Sequence, residues 1–172
     1  MSQRKTELRN FVKRYCNNKL AVLGLVIFFL IVAVVLIAPL LIPYGEAEID
    51  VAAFSAAPSS KHLLGTDTVG RDVLARLLYG GRVSLFVGVV STAISVVIGI
   101  PLGLLAAFYR GWFETIVMRA ADIFMTIPST ILILFLVSMF GPSIITVTVV
   151  IGVLGWTKFA RQIFGTVLAV RG

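Results

Sequence analysis

Apolar residues fall in four long runs, separated by short polar connections and one long polar stretch. A helix needs about 20 apolar residues to cross roughly 30 Å of hydrocarbon. The first run, 20–42, carries no charge, and Pro39 and Pro43 mark its exit. The second, 83–109, contains Gly99, Pro101 and Gly103. The two glycines are four apart and share a helical face, which favours close helix packing. Pro101 between them should kink the helix, as a packing feature or a gating hinge. The third run, 120–140, holds Pro128 and the acid Asp122. The fourth, 143–156, is short and rich in Val, Ile and Thr, and reaches spanning length only by continuing to Phe159. A lone strand cannot satisfy its backbone in lipid, so this run too predicts a helix. Ahead of the first run, Leu8, Phe11, Val12 and Tyr15 recur at i, i+3, i+4 and i+7 among basic residues. That spacing predicts an amphipathic interfacial helix over 1–19.

The predicted architecture is an all-α integral membrane protein of about four transmembrane helices. It has an N-terminal amphipathic segment (1–19), a first span (20–42), one outer loop (43–82) and a block holding the remaining spans and a tail (83–172). Composition agrees: 59% of the 172 residues are hydrophobic, above the 45–50% usual in soluble domains. Net charge is +7, which in a soluble protein would suggest nucleic acid. Here six bases (Arg4, Lys5, Arg9, Lys13, Arg14, Lys19) crowd the start of the chain. That is a positive-inside signal, and no nucleic-acid role is expected. In the 43–82 stretch, acids and bases nearly cancel, which places it outside and both ends of the chain in the cytoplasm.

Catalytic chemistry finds no support. His62 and Cys16 are single, so neither a Ser-His-Asp set nor a metal site is expected, and no cofactor is implied. Gly65-Thr66-Asp67-Thr68-Val69-Gly70-Arg71 lacks the Gly-Lys-Ser/Thr ending of a phosphate loop. Glu46 and Glu48 lie in a polar stretch with nothing to shape a site, and Ala56-Ala57-Pro58-Ser59-Ser60 reads as a flexible connector. Thr66 or Asp67 is positioned to cap a short helix with Leu74, Leu77 and Leu78 on its apolar side. Asp122 is a functional candidate as an acid near a span, with a local pair to Arg119 one turn away as the alternative. Arg71 and Asp72 offer a loop-stabilising pair.

The block Leu64-Gly65-Thr66-Asp67-Thr68-Val69-Gly70-Arg71-Asp72-Val73-Leu74-Ala75-Arg76, continuing to Gly80-Gly81-Arg82-Val83-Ser84-Leu85, resembles the outer-loop signature of bacterial ABC importer permeases for dipeptides, oligopeptides and nickel. It is most similar to the second (C-type) permease of such systems. Asn18-Lys19-Leu20-Ala21-Val22-Leu23-Gly24, Gly99-Ile100-Pro101-Leu102-Gly103, Tyr109-Arg110-Gly111-Trp112, Met118-Arg119-Ala120-Ala121-Asp122 and Trp156-Thr157-Lys158-Phe159-Ala160-Arg161 resemble further family stretches in the same order.

The resemblance implies a non-catalytic permease subunit in a bacterial inner membrane, with part of a type I importer fold and of a translocation pathway. It implies a second permease subunit, separate ABC ATPase subunits that hydrolyse ATP, and an extracytoplasmic substrate-binding protein as partners. Gly65, Thr66, Asp67, Gly70, Arg71, Asp72 and Arg82 carry the loop signature. Pro101, Arg119, Asp122 and Pro128 are the candidates for pathway or gating positions. The family's Glu-Ala-Ala coupling loop should begin where this sequence ends, at Val170-Arg171-Gly172. Two expectations therefore stand side by side: the front part of a longer permease, or a truncated, non-transporting protein that interacts with a partner permease. A gradient-driven carrier is a third, which buried ionisable groups or inverted repeats would favour.

Overall fold

The computed structural model describes residues 18–171, so the amphipathic helix expected at the N-terminus lies outside the described residues up to position 17. Five helices follow: α1 (Lys19–Leu41), α2 (Val73–Tyr109), α3 (Gly111–Thr126), α4 (Ser129–Phe140) and α5 (Ile144–Arg171). The protein is an all-α membrane protein. Helices α1, α2 and α5 are each long and apolar enough to cross a bilayer, and α3 with α4 form a pair bent by 87°. The chain divides into two compact units, Met1–Arg82 and Val83–Gly172.

In the first unit, α1 exposes most of its large apolar side chains, Leu20, Phe28, Phe29 and Leu30 among them. Among groups that cannot ion-pair or hydrogen-bond, such exposure suits contact with lipid. The helix continues through Pro39 and ends at Leu41, close to the end of the expected 20–42 span. After it, residues 43–72 fold into a compact loop closed by two isolated antiparallel bridges, Ile49 with Arg71 and Thr66 with Asp72.

Helix α2 differs from expectation at its start. The short capped helix and the second span are one continuous helix, and Asp72 rather than Thr66 or Asp67 caps it. The Asp72 Oδ1 accepts from the Ala75 N–H at 2.7 Å, satisfying one of the amides that a helix start leaves open. Past that cap, the chain up to Tyr109 holds no charged residue beyond Arg76 and Arg82, and the helix runs on through Pro101.

In the second unit, small residues set the packing of α2 on α5. A methyl group placed on Gly99 would lie 2.5 Å from the Trp156 carbonyl oxygen and 2.7 Å from the Phe159 Cβ. One on Gly103 would overlap the Ala160 carbonyl. Gly152 faces Ile94 and Gly155 faces the Ser95 hydroxyl in the same way, so both helices contribute to the seam. Ser95 Oγ lies 2.8 Å from the Gly152 carbonyl oxygen and 2.9 Å from that of Ser91, and its proton is shared between helices. Close backbone approach through small residues is how helices associate where no hydrophobic difference drives them together. The expected Gly99/Gly103 face is the contacting face, and Gly152 and Gly155 complete it.

The third apolar run is not one continuous helix but part of a bent helix pair. It breaks at Ile127-Pro128, and the residues expected to form a short connection, 110–119, are largely helical in α3. Arg110, with φ 51°, and Gly111, with φ 64°, make the sharp link from α2. Proline has no N–H and disfavours helix at the residue before it. Ile127 is accordingly extended, with ψ 129°, and Pro128 sits at the N-cap of α4. Gly141, with φ 93°, turns the chain into α5, which is 28 residues long and carries the Val/Ile/Thr-rich run as helix.

Candidate functional site: the 43–72 loop and its junction with the helices

Two glycines shape the loop. Gly65 has φ 75° and Gly70 has φ 81°, values that residues with a Cβ rarely adopt. Each also lies against a carbonyl, Gly65 on Ala56 and Gly70 on Asp50, where a side chain has no room. Between them Asp67 closes a turn. Its carboxylate accepts from the N–H groups of Val69 at 2.9 Å and Arg71 at 3.0 Å, and from Arg71 Nε at 2.9 Å and Arg76 Nη1 at 2.7 Å. The Arg71 backbone N–H, followed by that of Val69 and the Arg71 side chain, holds the Asp67 carboxyl at about 2. Thr66 is buried, and its hydroxyl accepts from the Ala56 N–H at 2.9 Å and donates to the Ala53 carbonyl. The 56–60 segment is therefore fastened into the loop rather than acting as a free connector. The Ala56 carbonyl accepts from Thr66, and the Ser59 N–H donates to the His62 carbonyl at 2.8 Å.

His62, which sequence reasoning set aside as a lone histidine, is the centre of this loop. It is 3% exposed. Its Nδ1 lies 2.9 Å from Asp72 Oδ2 and its Nε2 lies 3.3 Å from Asp50 Oδ2. A carboxylate only accepts, so a ring that satisfies both neighbours must carry both protons. Buried charge of this kind is stable only when paired. The hydrogen bond to Asp72, with a smaller contribution from Asp50, raises the His62 pKa, although burial opposes it. Asp50 in turn is held at about 2, first by Lys61 Nζ at 2.6 Å and then by the Ala52 N–H and His62. The ring of Tyr44 stacks at a tilt on His62 with centroids 4.9 Å apart. These groups line a cleft of about 260 Å³ with Glu48. Asp72 thus has two tasks: one oxygen caps α2 and the other grips His62. The signal available in the sequence was only the pairing of a single histidine with acids ten to twelve positions away.

The structure corrects two expected pairs. Arg71 pairs with Asp67 rather than with its neighbour Asp72. Asp122, on α3, bonds Arg161 on α5 rather than Arg119. Arg119 and Pro101 are exposed, and Pro101 lies about 200° round α2 from each of Gly99 and Gly103. Arg82 is the signature residue that reaches furthest. Its Nε donates to the Val35 carbonyl at 3.2 Å and its Nη2 to the Leu36 carbonyl, both on α1.

No cluster of three or more metal-ligating side chains exists among the described residues. The loop presents no nucleophile beside a base. What it does present is an apolar exterior, with Ile49, Val51, Phe54, Leu63 and Val69 exposed on a hydrogen-bonded frame.

Residues 6–58 match the N-terminal transmembrane domain of oligopeptide transport permease C, and residues 99–171 match the binding-protein-dependent transport system inner membrane component. Both matched regions thus carry the sequence of binding-protein-dependent transport permeases. Among curated relatives, the chain is 42% identical over 158 residues to a provisionally named peptide permease protein of Brucella abortus, covering 92% of this chain and 52% of that one. It is 34% identical to the glutathione transport system permease protein GsiD of Pectobacterium atrosepticum, over 97% of this chain and 56% of the relative. It is 32% identical to the oligopeptide transport system permease protein OppC of Bacillus subtilis, over 92% and 52%. The chain spans about half the length of the curated relatives it matches.

Proposed function

We propose that the chain forms the outer loop and part of the translocation pathway of an ATP-driven peptide importer in a bacterial inner membrane. The observation that carries this reading is the match of two regions to importer permeases, joined to a hydrogen-bonded loop that exposes Ile49, Val51, Phe54, Leu63 and Val69. The rigid loop suits docking of a folded partner, because a surface ordered in advance loses less entropy on binding. The substrate class is di- and oligopeptides. Nickel is the lesser reading, since no metal-ligating cluster supports it among the described residues. The partners are a second permease, separate ATPase subunits and an extracytoplasmic binding protein. Both ends face the cytoplasm, consistent with the basic N-terminal segment. The pathway candidates are Pro101, Asp122 and Pro128, with Arg119 at its inner end.

The test is uptake of labelled di- and oligopeptides by cells whose transporter contains this chain. Uptake should vanish when the chain or the co-encoded ATPase is deleted, and should fall with Arg71→Ala at unchanged expression. Uptake that survives loss of the ATPase would point to a gradient-driven carrier. Peptide uptake indifferent to loss of the chain would leave a non-transporting, partner-binding protein as the better account.

A further inference from the structure

Pro39 lies inside α1, and proline has no N–H to give. The acceptor it deprives is fixed by helix geometry: the carbonyl four residues earlier, on Val35. In a bilayer such a carbonyl cannot turn to water, and an unmet backbone group there costs several kcal/mol. Arg82 Nε donates to that same carbonyl at 3.2 Å. Its Nη2 donates to the next one, on Leu36, so the guanidinium forks across two successive carbonyls. Only arginine offers donors in this fixed planar spacing. Two further features hold the fork in place. Gly81 brings the backbone of α2 so near that a methyl group on it would meet Val35 Cγ2 at 2.9 Å. The Tyr79 ring lies beneath the guanidinium, 5.9 Å from its centroid to Cζ.

We propose that Arg82 is a strap that supplies from α2 the hydrogen bond Pro39 withholds within α1, so that the proline and the arginine, 43 positions apart, act as one unit. The strap fastens the first span to the start of α2 and so pins together both ends of the outer loop. Pro39 is then the cause of the docking site: by emptying the Val35 carbonyl it creates an acceptor that a neighbouring helix must fill.

A double-mutant cycle on the intact chain in detergent micelles, read as the thermal midpoint, tests this. Arg82→Met should lower the midpoint, because it strands the Val35 carbonyl. Pro39→Ala restores an N–H at position 39 and gives that carbonyl a donor in its own helix. In the Pro39→Ala background the loss caused by Arg82→Met should therefore shrink to about half or less, since residues that share one hydrogen-bonding group are coupled rather than additive. The Leu36 contact accounts for what remains. Equal losses in the two backgrounds would overturn the proposal and leave Arg82 as an ordinary interhelical contact. No loss from Arg82→Met in the native background would do the same. If Arg82→Met yields no intact protein, Arg82→Lys, which cannot fork, is compared in the two backgrounds by the same rule.

Discussion

Gly99→Ala offers a direct measure of how the second unit is held together. The added methyl would sit 2.5 Å from the Trp156 carbonyl oxygen and 2.7 Å from the Phe159 Cβ. Ordinary contact begins at 3.4 Å, so α2 and α5 must separate by about 0.9 Å. A gap of 0.5–1 Å forfeits roughly a quarter to a half of each atom pair's ~0.1–0.2 kcal/mol, and a side chain's worth of seam holds about 50 such pairs. The loss is about 2–5 kcal/mol. Alanine returns up to about 1 kcal/mol of helix propensity. A net destabilisation of about 1–4 kcal/mol remains, of the size that overpacking produces. The matched control is Gly88→Ala in the same helix, where nothing lies within 4 Å of the new methyl and a small gain is expected. Reversible unfolding in mixed micelles, with the three proteins compared at one detergent ratio, reads the difference. If Gly99→Ala proves as benign as Gly88→Ala, the seam is not closely packed and the reasoning fails.

Further outcomes follow from the loop and the bundle. The raised pKa of His62 means that its contribution is complete below its ordinary value of 6.5 and is lost as pH rises through the folded value. Asp50 and Asp67, held at about 2, contribute above their ordinary 3.8 and lose that contribution as pH falls towards 2. Amide exchange at Asp50, Thr66 and Val73, corrected for intrinsic rate, should be slowest between about pH 4 and 6.5 and faster at pH 9; protection unchanged at pH 9 contradicts a charged His62. Gly70→Ala forces a methyl within 2.5 Å of the Asp50 carbonyl oxygen at a φ of 81°, and should expose the 43–72 segment to protease while α5 stays intact. Resistance equal to wild type would refute the role given to that turn. Reversing the Asp122–Arg161 pair by Asp122→Arg should lower the thermal midpoint modestly, by less than about 1 kcal/mol equivalent because both groups are partly exposed. Adding Arg161→Asp should restore it, and failure of the double variant to recover would deny the pair.

The hydrophobic pattern carried the helices because each long apolar run has one solution in lipid. The Val/Ile/Thr-rich stretch shows this most clearly, since bilayer chemistry overrides its strand-like composition and it lies within α5. The Gly99/Gly103 face was legible because spacing alone defines a helical face. What escaped were features that depend on partners distant in the chain. Asp122 has Arg119 within one turn, yet it pairs with Arg161, which only the packing of α3 on α5 brings near. Asp72 looked like half of an Arg–Asp couple, whereas its two oxygens serve the α2 amides and His62. A single histidine carries no spacing signal of its own, and acids ten to twelve positions away do not by themselves mark His62 as buried. Pro128 was visible as a proline in an apolar run, but kink and break are distinguished only by whether the chain resumes its axis, and here it turns by 87°.

That turn has a consequence for where water can go. The last four carbonyls of a helix have no amide of their own helix to bind, and at the end of α3 the next residues are the extended Ile127 and Pro128, which has no N–H. Pro128 directs its own carbonyl to the Ile131 and Leu132 amides, so it helps α4 begin and does nothing for α3. Backbone left open in this way is tolerated at membrane depth only where it is sheltered by protein or lines a hydrated space. A recess of about 170 Å³ lies there, walled by Phe124, Pro128, Ser129, Leu132, Thr157 and Lys158, so two polar side chains of α5 and one of α4 stand beside the open carbonyls. The break therefore gathers main-chain oxygen with the side chains of Ser129, Thr157 and Lys158 in an otherwise apolar bundle, which is the setting that water at membrane depth requires.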